Sequence, residues 1–134
     1  PLVAMHVRTF IPDRRVPEKH GFAGATWDYF LSAMQLFPPD AHFLIFSDST
    51  EWTKRNFPRT NKKVSFIEGN SYPIDFYFMS LCDHVIVSPE STFSWWAAWL
   101  NSNPNKKIVV LDTWGEIVDH DTIPNGWIKI PKRR

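Results

Sequence analysis

Apolar residues along this chain switch repeatedly between short continuous runs and three-to-four spacing, so strands and helices are expected to alternate. Leu2 to Val7, LVAMHV, has the length and β-branched ends of a buried strand, and Arg8 closes it. Thr9 to Gly24 carries Pro12, Pro17, Gly21 and Gly24 among charges and reads as a long loop. Thr26 is placed to cap a helix with Trp27, Phe30, Leu31, Met34 and Phe37 on one stripe, ended by Pro38 and Pro39. His42 to Phe46 is a second strand, and Asp48 with Glu51 has the spacing of a capping pair for a short helix through Phe57. Val64 to Ile67, His84 to Val87 and Ile108 to Leu111 predict three more strands. Pro73 to Cys82 and Ser91 to Asn101 predict the helices between them.

Strands separated by helices of this length cannot pair as hairpins. The economical arrangement is one α/β domain over residues 1–134, a Rossmann-like, doubly wound parallel sheet with right-handed crossovers. Open parallel sheets bind ligands outside the carboxyl ends of their strands. The residues there are Arg8, Ser47 and Asp48, Glu68 to Asn70, Ser88 to Thr92, and Asp112 to Trp114.

Composition narrows the classes. At 134 residues and 43% hydrophobic, the chain can form one core without disulfides or structural metal. Fifteen basic against fourteen acidic side chains supply no excess for tracking phosphate backbones, so nucleic acid is not an expected partner. The basic Pro131 to Arg134 terminus reads as a solvated tail. Cys82 is the only cysteine, which excludes an internal disulfide, and its apolar setting reads as a buried, inert thiol. No apolar run has the roughly 20 residues of a membrane span. A start at Pro1, inside a strand-like segment, reads as a cut from a larger protein. Aromatic residues, at 16%, exceed what one small core needs, so some rings are expected to face a partner or second domain.

Several residues carry chemistry. Ser91 and Thr92 open a helix directly after a strand, where hydroxyls, unpaired amides and the helix dipole make an anion site; the plainer reading is that Ser91 is an N-cap. Arg8 presents a planar fork suited to two phosphate oxygens, or else a salt bridge to Asp13 or Glu18 in the following loop. His6 lies two residues before Arg8, on the same face of the strand, where a packed core histidine is the alternative. Asp75 interrupts an apolar helix and is either a site carboxylate or an ordinary first-turn acid. His84 and His120 have no partner spacing. Neither GxGxxG nor GxxxxGKS occurs, and no HExxH, so neither a dinucleotide nor a metal mechanism is indicated.

Five blocks, in order and nearly end to end, resemble glycosyltransferase family 11, the α-1,2-fucosyltransferases. MHVR, Met5 to Arg8, resembles the start of the family's HxRRxD signature, and FSDSTEW, Phe46 to Trp52, resembles FSDDxxW. DFYFMSLCDH, Asp75 to His84, is similar to DLxLMSxCxH, and STFSWWAAWLN, Ser91 to Asn101, is similar to SSFSWWxAWLN. NPNKKIVVLDTW, Asn103 to Trp114, resembles the lysine, strand and tryptophan that close the family's domain. The resemblance implies the donor-binding half of a two-domain GT-B-type enzyme that transfers L-fucose from GDP-fucose to a glycan with inversion and without metal. It further implies that Arg8 holds the diphosphate, that His6 and Asp75 lie near the guanosine, and that Ser91 and Thr92 bind phosphate. The implied partners are a GDP-sugar donor, a glycan acceptor and a missing N-terminal half. The implied location is the cytoplasm or the inner membrane surface of a bacterium, or the Golgi membrane of a eukaryote; the scarcity of cysteine favours the bacterial setting.

The chain also departs from the family. Thr9 replaces the second arginine and Ile11 the aspartate of HxRRxD. If both arginines face the diphosphate, the missing charge-assisted bond weakens binding by roughly 1.5–3 kcal/mol. Pro89-Glu90 occupies a place where the family tends to have a single Asn, so Glu90 is expected to repel phosphate or turn away. Asp13, Glu18 and Asp28 lie in or near the loop after Arg8, but the sequence singles out none of them as a catalytic base. Two alternatives follow: a diverged domain that binds a nucleotide sugar without turnover, and a transferase using another GDP-sugar.

Overall fold

The structure, a computed structural model, describes residues 1–9, 27–113 and 122–132. Ten elements follow one another: β1 (Leu2–Val7), α1 (Trp27–Met34), β2 (His42–Ser47), α2 (Thr50–Asn56), β3 (Lys63–Phe66), α3 (Tyr72–Leu81), β4 (His84–Ile86), α4 (Thr92–Trp99), β5 (Ile108–Leu111) and β6 (Ile128–Ile130). The strands form one sheet in the order β3-β2-β1-β4-β5-β6, with every pair parallel. This is the Rossmann-like, doubly wound arrangement that the alternation predicts. Its strand order reverses direction between β1 and β4, the switch point where a ligand crevice opens.

Side chains of successive strand residues point to opposite faces, and the two faces are buried by different helices. On one, Val3, Met5, Val7, Phe43, Ile45, Ile86, Val109 and Leu111 pack with Tyr29, Phe30, Ala33 and Met34 of α1 and Trp52 of α2. On the other, Ala4, Leu44, Phe46, Val85, Val87, Ile108 and Val110 pack with Met79 of α3 and Ala97 and Ala98 of α4. The hydroxyl of Tyr29 donates to the Val87 carbonyl at 2.6 Å, anchoring α1 to the end of β4. Because even positions of β1 face α3 and α4, His6 belongs to that side of the sheet, and so does Arg8 just beyond the strand.

Lys106 explains part of the closing block. Its ammonium donates to the carbonyls of Ala98, Trp99 and Asn101 at 2.9–3.1 Å, satisfying orphan acceptors at the end of α4. Trp95 donates its indole N–H to the Thr122 carbonyl at 2.9 Å. Cys82 is buried, and burial pushes its thiol up to about 11, leaving an inert group. Tyr72, Tyr77, Trp96 and Trp99 are exposed on α3 and α4, so part of the aromatic surplus does lie at the surface.

Three expectations need correction. β6 is a strand the pattern did not announce: Ile128 and Ile130 pack on the α1 side and Lys129 is exposed, but three residues are too few for alternation to register. α1 ends at Met34, with Phe37 packed beyond it in a turn; the Thr26 cap lies outside the described residues. Asp48 does not cap α2, whose N-cap is Ser49 without a side-chain bond, because its carboxylate is engaged elsewhere. Among the described residues no helix is long and apolar enough to cross a membrane.

Candidate functional site

Hydroxyl side chains hold the strand ends together where the backbone ladder stops. β1 and β4 pair as far as Met5 with Ile86. Beyond that, the Arg8 N–H donates to Ser88 Oγ at 2.8 Å, and the Ser88 N–H donates to Ser94 Oγ at 3.1 Å. On the β2 side, Ser47 Oγ donates to the Val7 carbonyl at 2.8 Å. The two strands flanking the switch point are thus fixed at their carboxyl ends while leaving room between them.

Arg8 projects from this clamp. Its Nη1 lies 3.4 Å from Asp48 Oδ2, and the Asp48 side chain is only 2% exposed against 25% for Arg8. Thr9 donates both its N–H and its hydroxyl to Asp48 Oδ1, at 2.7 and 2.8 Å. The observed ion pair is therefore with Asp48; Asp13 and Glu18, the partners considered from sequence, lie outside the described residues. Thr9 is fully buried and is not among the residues that line the cavity described below. Ile11 lies outside the described residues.

His6 is 4% exposed, its ring 5.3 Å from that of Phe93 and its Nδ1 3.2 Å from Ser91 Oγ. Burial, reinforced by the Arg8 charge, lowers its pKa to about 3, so the ring is neutral at physiological pH and offers a hydrogen bond rather than a charge. The sign follows from linkage: the unfolded chain binds a proton on His6 below about pH 6.5 and the folded chain does not. His6 therefore stabilises the fold fully above that pH, and this contribution is lost as pH falls toward 3. Urea titrations across pH 7 to 4 should show stability declining, with a clearly shallower decline in His6→Leu; equal slopes would contradict the buried neutral state.

Ser91 is the N-cap of α4, accepting the Ser94 N–H at 3.3 Å. The capping reading is thus correct, and it is compatible with anion binding, because first-turn amides such as those of Thr92 and Phe93 have no acceptor within the helix. Ser91→Ala should lower stability by about 1 kcal/mol through the lost cap, read as a shift in urea midpoint. Asp75 sits in the first turn of α3, as the plainer reading has it. Its Oδ1 is nevertheless buried without a hydrogen-bond partner. Burial raises its pKa, with an Asn70 hydrogen bond opposing.

These residues converge on one cavity of about 450 Å³ at the switch point. It is lined by His6, Arg8, Phe46, Ser47, Asp48, Tyr72, Asp75, Glu90, Ser91, Thr92 and Phe93. All five sequence candidates, His6, Arg8, Asp75, Ser91 and Thr92, reach it. Asp28 does not; it is exposed on α1, across the sheet. His84 accepts the Lys107 N–H and packs on Phe37 away from the cavity, and His120 is outside the described residues. Sequence reasoning missed Phe93, because an aromatic at helical spacing reads as core, and Tyr72, which precedes the predicted helix; their rings meet edge to face at 6.2 Å. It also missed the role of Asp48, although its place after β2 was a usable signal. Glu90, expected to turn away or repel, faces the cavity. Arg8 and the start of α4 can hold an anion, while Asp75 and Glu90 can accept from hydrogen-bond donors.

Comparisons with known proteins bear on the family and the fold. The model for Glycosyl transferase family 11 matches residues 3–130. An Escherichia coli alpha-1,2-colitosyltransferase is 29% identical, covering 97% of this chain and 48% of its own length. The Escherichia coli O-antigen biosynthesis glycosyltransferase WbnK is 28% identical, covering 83% of this chain and 38% of its own length. The chain thus spans half or less of the curated relatives it matches. Among solved structures, NodZ, an alpha-1,6-fucosyltransferase soaked with GDP-fucose, superposes with a TM-score of 0.54 at 17% identity, over 84% of this chain and 38% of that one. A fucosyltransferase NodZ from Bradyrhizobium gives 0.55 at 18% identity, over 85% and 39%. At such identities these two report a shared fold.

Proposed function

Since the chain belongs to glycosyl transferase family 11, we propose that it is the donor-binding half of a GT-B-type transferase that moves L-fucose from GDP-fucose to a glycan hydroxyl with inversion, in the α-1,2 manner. One observation carries this reading: a single cavity joins an anion-binding end, Arg8 and α4, to a buried Asp75 oxygen that lacks a donor. A guanosine diphosphate offers matching groups, since its phosphates are acceptors and its base and ribose carry N–H and O–H donors.

In the reaction, the acceptor oxygen attacks the anomeric carbon of fucose while the bond from that carbon to the phosphate oxygen breaks. Negative charge then accumulates on the departing GDP. Arg8 and the amides at the start of α4 are held in place before the reaction, so they stabilise that charge without reorganising. His6, being neutral, adds a hydrogen bond and orients Ser91. The hydroxyl proton passes to a base, for which Asp13 and Glu18 are candidates. Further polypeptide, of the kind that lengthens the relatives, completes the acceptor side. This scheme asks nothing of a metal, so chelator should leave donor binding unchanged.

A second reading, favoured by the similarity to a colitosyltransferase, keeps the site and changes the sugar. Competition decides between them: GDP-fucose should displace bound GDP more effectively than a GDP-activated colitosyl donor, and the reverse order would favour the second reading.

A further inference from the structure

Glu90 is held in a conformation that its side chain disfavours. Ser88 to Ser91 form a tight turn closed by the Ser91 N–H on the Ser88 carbonyl at 3.1 Å, with Pro89 second and Glu90 third. The φ of Glu90 is 61°, and it is the one non-glycine residue with positive φ among those described. A turn with proline second and positive φ third is of type II, whose third position is suited to glycine or asparagine. Local backbone energetics therefore favour a different residue here, and a strained residue on a cavity wall points to a role in that cavity.

The surroundings define what the carboxylate can do. Glu90 lines the cavity beside Ser91 and Thr92 and makes no hydrogen bond or ion pair with any described residue. Arg8, the one cation among the described residues that line it, is paired with Asp48. A bare carboxylate next to an anion site weakens anion binding unless the ligand itself brings a donor to it. Hydroxyls adjoin the phosphates of a nucleotide sugar on both sides, the ribose on one and the transferred hexose on the other.

We propose that Glu90 is a specificity-determining residue that accepts a hydrogen bond from a hydroxyl of the nucleotide-sugar donor, so that the turn sacrifices stability for donor recognition. The proposal rests on the donor-binding reading above. It makes a two-sided demand that a merely structural residue, or a repulsive one, does not meet. Glu90→Gly should raise the melting temperature by a few degrees and at the same time weaken donor binding by about 10- to 100-fold. Glu90→Gln keeps size and strain, so it should leave the melting temperature unchanged while still weakening binding.

The experiment is calorimetric titration of the wild-type chain and both variants with GDP, its 2′-deoxy and 3′-deoxy analogues, and GDP-fucose, with thermal melts alongside. If the hydroxyl is on the ribose, the variants lose affinity for GDP, and one deoxy analogue shows the same loss in the wild type and no further loss in the variants. If it is on the hexose, the variants match the wild type on GDP and lose affinity for GDP-fucose alone. Wild-type binding with unchanged or tighter binding in both variants overturns the proposal and leaves the donor reading intact. A folded wild type that binds neither GDP nor GDP-fucose overturns the donor reading, and this proposal with it.

Discussion

Replacing Arg8 by lysine should lower the affinity of this domain for GDP by about tenfold or more, with little change in stability. Lysine retains a positive charge within reach of Asp48 but loses the planar fork that can bind two phosphate oxygens together. Arg8→Ala removes the charge as well, and its effect on GDP should exceed about a hundredfold. It is the less clean variant, because it takes the cationic partner from the buried Asp48 carboxylate. Some stability is then lost for reasons unrelated to the ligand. Binding isotherms with urea midpoints on both variants separate the two effects. Undiminished GDP binding in Arg8→Ala would remove Arg8 from the site.

Asp48→Asn should produce the second large effect, and its direction tests positioning against simple charge. The substitution makes the cavity more positive, which alone would tighten a diphosphate. However, an amide nitrogen in place of Oδ2 would present a donor to the Arg8 guanidinium, itself donor-only, 3.4 Å away. Arg8 should swing free of its clamp, so that GDP binding weakens by about tenfold despite the gain in charge. Stability should fall by about 2–4 kcal/mol, since a buried ion pair is broken from one side. Tighter GDP binding by Asp48→Asn would mean that Asp48 merely opposes the ligand's charge.

Much of this architecture is legible in the chain because its strands are short, apolar and separated by helices with clear three-to-four spacing. β1 and β5 have the bounds the pattern predicts, β2 and β4 differ by a residue at one end, and β3 is shifted by one residue. The parity of β1 was enough to place His6 and Arg8 together, since side-chain direction in a strand is fixed by position. β6 escaped because two isoleucines around a lysine carry too little signal. The site was legible where a residue's chemistry conflicts with its surroundings, as with Asp75 in an apolar helix. It was obscured where two explanations share one residue type. Asp48 at a helix start reads as a cap, and only the fold brings Thr9 and Arg8 to it from 39 and 40 positions away. Phe93 satisfies a core pattern and lines a cavity at once. The effect of Glu90 depends on a backbone angle that residue identity argues against.

The central claim is that guanosine and diphosphate bind in the cavity between β1 and the start of α4. Its most direct test is calorimetric titration of the wild-type chain with GDP and with ADP, each in the presence of chelator. The account predicts one site, saturable by GDP at micromolar concentration with chelator present, and no comparable binding of ADP. Equal binding of ADP, or a folded chain that binds neither nucleotide, would contradict it.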